Sequence, residues 1–179
     1  CQAVLFANIT GSGDPLYDVP DQPDENYVAW NSGDEDPWLG DPHVYVDEMT
    51  GRVWLTVGGG TGIYVCELDP ESGYLLGFDG PVNFDQNPEA FTLVADWSGD
   101  EWTHDSEWFE GAALFRHADW WYLLTSNGSL AENYTIRMGR GTSPMGPFFF
   151  CWGRNMNEFD PVDEEFGNSF LLGDDGSQL

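Results

Sequence analysis

The chain has 179 residues, 41% of them hydrophobic and 16% aromatic, enough apolar material for one sizeable core. It carries 32 acidic residues against 5 basic ones, a formal charge of -27, and every basic residue is an arginine. A field of that sign repels phosphate backbones and anionic membranes, and no segment approaches the ~18 consecutive apolar residues of a membrane span, so neither nucleic acid nor membrane is expected as a partner.

The acidic residues are scattered among aromatics rather than gathered into a tail. That is the pattern of a well-solvated surface, suited to a saline or calcium-rich medium, and not of a disordered chain. A neutral sugar is a partner compatible with such a field. Three cysteines, Cys1, Cys66 and Cys151, are too few for a disulfide scaffold; they allow one bridge, whose pairing stays open. Sequons at Asn8, Asn127 and Asn133 permit glycosylation in a secreted eukaryotic protein.

Taken in chain order, the elements are short and β-like. The chain opens at Cys1 with QAVLF, which reads as mid-strand, so a mature or truncated start is expected, without a signal peptide. HVYVD (43–47), RVWLTV (52–57) and IYVCEL (63–68) are rich in β-branched and aromatic residues and are separated by turn material, including the run Gly58-Gly59-Gly60-Thr61-Gly62. A second cluster follows: AALFRH (112–117), WWYLLTS (120–126) and YTIRMGR (134–140), with Ala118-Asp119 as its hairpin turn. No stretch has helical periodicity. Asp41-Pro42 leads the first cluster and Glu110-Gly111 the second, about seventy residues apart, which fits the repeat of a propeller blade with long insertions. On pattern alone a β-sandwich remains an alternative. Residues 70–109 and 141–179 are loop-rich and are expected to hold outer strands and the walls of a central cavity. One partial domain over 1–179 is expected.

Glu110 lies between aromatic and apolar residues at a strand start, where desolvation favours a protonated carboxyl, as a general acid requires. By itself this context is more often that of a half-exposed strand edge, and Asp41-Pro42 by itself is a common turn dipeptide. Leading carboxylates on neighbouring blades would nevertheless converge, and two converging carboxyls are what glycosidic cleavage uses. Nine tryptophans add binding material; Trp38 and Trp102 fall in polar loops, where an aromatic face can stack on a sugar ring or pack locally. Trp54 and one of Trp120 or Trp121 are expected in the core. The histidines His43, His104 and His117 lack zinc-site spacing, and no nucleophile elbow or phosphate loop is present.

Two stretches carry a specific resemblance. GDPHVYVDEMTGRVWLTVGGGTGIYVCELDPESG (40–73) resembles the third-blade segment of glycoside hydrolase family 43. FEGAALFRHADWWYLLTSNGSLAENYTIRMGRGTSPMGPF (109–148), continuing to residue 179, resembles the segment after it. The resemblance implies an all-β, five-bladed β-propeller of which this chain holds the middle blades. It also implies extracellular, inverting hydrolysis of arabinose- or xylose-containing polysaccharides. By the same resemblance Glu110 matches the general acid, and Asp41 the aspartate that tunes and orients it. Trp38, His43, Trp108 and Arg140 are the candidate sugar contacts. No metal ligand is assigned, although the family resemblance leaves room for calcium or another ion at the propeller axis of the complete protein.

Three departures accompany the match. The family's general base belongs to a first blade upstream of Asp41, and Asp14-Pro15 stands too close to Asp41 to supply it. The family's Gly-His-Pro segment falls beyond Leu179. Ala112 replaces a proline after Glu110-Gly111, and Phe150-Cys151 stands where Asp-Lys is usual. The alternative is thus a non-catalytic propeller that binds glycans or builds an extracellular assembly, and open blade edges could pair with other chains.

Overall fold

The computed structural model describes residues 2–5, 27–31, 39–60, 62–96, 108–128, 135–151, 153–158 and 170–172. These form β1 (Gln2–Leu5), β2 (Tyr27–Asn31), β3 (His43–Val46), β4 (Val53–Gly59), β5 (Gly62–Leu68), β6 (Val82–Asn83) and β7 (Thr92–Asp96). They continue with β8 (Trp108–His117), β9 (Trp120–Gly128), β10 (Thr135–Gly141) and β11 (Phe170–Leu172). One 3-10 turn, Pro88–Ala90, is the only helical element among the described residues.

The strands make three sheets. Two are four-stranded and antiparallel, in the orders β3-β4-β5-β7 and β8-β9-β10-β11. The third is β1-β2-β6, in which β6 runs parallel to β2. The loop-rich stretches do supply outer strands, β7 and β11.

Strand sequence explains the layering. A strand flanked by other sheets on both sides has no polar face, so it reads as a nearly unbroken apolar run. In β4, every residue from Trp54 to Gly59 is buried. Trp54 of β4 and Ile63 and Val65 of β5 face the next sheet, where they pack with Ala112, Leu114, Trp121, Leu123 and Phe148. Leu55, Val57, Cys66 and Leu68 face the other way, against Val28, Ala29 and Val82 of the β1-β2-β6 sheet. The middle sheet is therefore sandwiched. The expected core tryptophans are Trp54 and Trp121, whose rings meet edge to face with centroids 6.1 Å apart, while Trp120 stays 38% exposed.

Two boundaries differ from the sequence reading. β4 and β5 extend into the glycine run, where Gly58 pairs with Ile63 and Gly59 with Gly62. Gly58 has φ +122, and a Cβ there would lie 2.3 Å from the Gly62 carbonyl oxygen, so glycine is what allows the strands to continue. β8 likewise begins at Trp108, which puts Glu110 inside the strand rather than ahead of it.

Candidate active site

The first strands of the two four-stranded sheets, β3 and β8, lie side by side and run the same way. Asp41 reaches Gly111, His43 reaches Leu114 and Asp47 reaches Arg116, in step along both. The leading carboxylates of successive repeats are consequently carried to the same end of neighbouring sheets.

Asp41 stands two residues before β3 with φ 47, a left-handed conformation that aspartate tolerates better than most residues. Its segment is tied down where the Gly58 N–H donates to the Gly40 carbonyl at 3.0 Å. The Asp41 carboxylate then accepts the N–H of Gly111 at 3.1 Å.

Glu110 is half-buried and faces Ser126 across the β8–β9 ladder. Directly after it the register slips: Glu110 pairs with Ser126, yet the next pair is Ala113 with Leu124, so β8 holds one extra residue. Gly111 takes φ 63 in this bulge. A bulge with a left-handed glycine bends its strand and re-aims the neighbouring side chain.

His43 is half-buried, and its Nδ1 faces the Leu114 N–H at 3.4 Å. A backbone amide can only donate, so Nδ1 is the acceptor and the ring proton resides on Nε2. Burial also lowers the imidazole pKa. His43 therefore braces β8, the strand that carries Glu110, a role its position in the sequence did not suggest.

The other sugar-contact candidates fall differently. Trp38 lies outside the described residues, and for Trp108 only the backbone in β8 is described. Arg140 is not brought to the carboxylates. It pairs with Tyr122, four residues along β9 from the partner of Glu110, or ~13 Å at the usual rise of a strand. Its guanidinium lies 4.1 Å over the ring of Trp120. Among the described residues no group of three or more His, Cys, Asp or Glu side chains could hold a metal ion. Thr56, which the sequence reading passed over as a strand residue, donates its hydroxyl to the Ala112 carbonyl at 3.0 Å inside the bulge. A hydroxyl in an otherwise apolar strand was the available signal.

Comparison with known proteins gives these features a family. The model of the glycosyl hydrolases family 43 matches residues 20–159. The chain is 31% identical over 156 residues to an extracellular endo-α-(1→5)-L-arabinanase of Thermotoga petrophila, covering 84% of this chain and 29% of that protein. Native arabinanase from Bacillus subtilis superposes with a TM-score of 0.59 at 21% identity, over 83% of this chain and 44% of the other. An α-L-arabinanase from Cellvibrio cellulosa complexed with arabinohexaose gives 0.53 at 22% identity, over 74% and 39%. The chain thus spans less than half the length of each. Its sheets are blades of a five-bladed β-propeller, the fold of these arabinanases. With a family model matched across most of its length, the chain belongs to glycosyl hydrolase family 43.

Proposed function

We propose that this chain supplies the acid-bearing blades of an extracellular glycoside hydrolase that cleaves arabinose-containing polysaccharides. Glu110 protonates the departing glycosidic oxygen, and Asp41 orients the acid as its charged neighbour. The observation that carries the reading is the hydrogen bond from the Gly111 N–H to the Asp41 carboxylate, which joins the leading residues of two blades beside Glu110. The arabinanase names of the relatives favour arabinan over xylan side chains as substrate, and the bound arabinohexaose of one of them favours a chain of sugars over a single unit. The base that activates water comes from residues outside this chain, and the mechanism inverts the anomeric centre.

The test is hydrolysis of linear arabinan, aryl arabinofuranoside and aryl xyloside by the full protein and its Glu110→Gln variant. A fall in kcat of about 10²- to 10⁴-fold is expected, the usual contribution of a positioned acid. Activity unchanged by the substitution removes Glu110 from the mechanism. A full protein that binds arabinan and cleaves none of these substrates would be a glycan-binding propeller instead.

A further inference from the structure

Thr56 sits in the middle of β4, on the face that Trp54 shares with the core between the two four-stranded sheets, and it is fully buried. Valine has almost the same shape and no polar atom. Burying a hydroxyl there is unfavourable unless it is hydrogen-bonded, so the useful question is what the hydroxyl holds.

Its one proton has two carbonyls within reach, Ala112 at 3.0 Å and His43 at 3.4 Å, and the shorter contact crosses to the neighbouring sheet. Ala112 is a bulge residue with no register partner on β9. A bulge interrupts the ladder, and a buried carbonyl freed in this way requires another donor. Thr56 provides it. His43 is the register partner of Thr56 on β3, and it accepts from Leu114. With Asp41 on Gly111, three side chains of one blade grip backbone groups at 111, 112 and 114 of the next.

We propose that Thr56 is a positioning residue for the acid: by holding the Ala112 carbonyl it sets the shape of the bulge and thereby the aim of Glu110. This rests on the reading of Glu110 as general acid. Thr56 touches no substrate and acts only through β8.

The experiment compares the full protein with Thr56→Val, Thr56→Ser and Glu110→Gln on two aryl arabinofuranosides. One has a phenol leaving group that needs protonation, and the other a dinitrophenol that departs without it. Misaiming the acid should lower kcat of Thr56→Val on the phenyl substrate by about 10- to 100-fold, part of the full contribution of acid catalysis. Its kcat on the dinitrophenyl substrate and its KM should stay near the wild-type values. Thr56→Ser, which keeps the donor, should recover most of the loss. Thermal melting checks that each variant is folded, with Thr56→Ala replacing the valine variant if that one is not. Equal losses on both substrates, or no loss on either, overturn the positioning role while Glu110→Gln retains its leaving-group dependence. If Glu110→Gln itself shows no such dependence, the acid assignment fails, and this proposal with it.

Discussion

Asp47 and Arg116 form an ion pair of 3.0 Å between neighbouring blades, at the far end of β3 and β8 from Asp41 and Glu110. The Asp47 side chain is 4% exposed and that of Arg116 20%, so water screens the pair poorly. The Asp47 carboxylate also accepts from the Thr50 hydroxyl at 2.7 Å and the Met49 N–H at 3.1 Å. One carboxylate thus closes the β3–β4 turn and clamps the next sheet.

This clamp makes stability sensitive to acid. Burial pushes the Asp47 carboxyl up, but the hydrogen bonds from Thr50, Met49 and Arg116 and the Arg116 charge outweigh it and hold the carboxyl below its ordinary value. A lowered folded value means that the contribution is complete above the unfolded carboxylate range, about pH 4, and is lost as pH falls through the folded value. Asp47→Ala, which leaves the Arg116 guanidinium without this partner, should cost about 3 kcal/mol near neutral pH. In Asp47→Asn the acid limb of a melting-temperature profile should be flatter than in the wild type. An unaltered limb would show that other carboxylates dominate it.

Gly111→Ala should damage activity more than stability. The left-handed backbone at φ 63 costs an alanine ~1–2 kcal/mol, and its Cβ would sit 3.0 Å from the Ser126 hydroxyl oxygen opposite Glu110. Gly77→Ala is the control, because Gly77 has φ +91 with open space around its Cβ position. Denaturant unfolding should give comparable losses for the two variants. Only Gly111→Ala should lower kcat on arabinan.

Cys66 and Cys151 should part ways in reactivity. Cys151 is exposed and Cys66 buried. Burial pushes the Cys66 thiol up to about 12 from an ordinary 9.0. Iodoacetamide at pH 8 followed by peptide mass spectrometry should label Cys151 in the native protein and Cys66 only after unfolding. Because the folded value lies above the unfolded one, the folded state favours the protonated thiol. Its contribution is whole below pH 9.0 and declines as pH rises from there towards about 12, which the alkaline limb of Cys66→Ala should lack.

Much of the fold was legible in local pattern. RVWLTV and IYVCEL read as strands because β-branched and aromatic runs suit a pleated, buried surface, and Ala118-Asp119 does turn the β8–β9 hairpin, with Ala118 at φ 52. The glycine run misled at one point, since composition alone cannot tell a turn from two strands in close approach.

The sequence by itself determined the all-β class, the two repeated units and the pair of leading carboxylates, because strand propensity, spacing and charge are properties of neighbouring residues. Tertiary structure alone decided that Asp41 meets Gly111, that the bulge follows Glu110, and that Thr56 and His43 brace it while Arg140 lies on Trp120. Those contacts join residues dozens of positions apart, and they depend on how two sheets stack. A one-residue slip in register would reverse the face of every side chain concerned, so the contacts need the strand pairing as well as the local pattern.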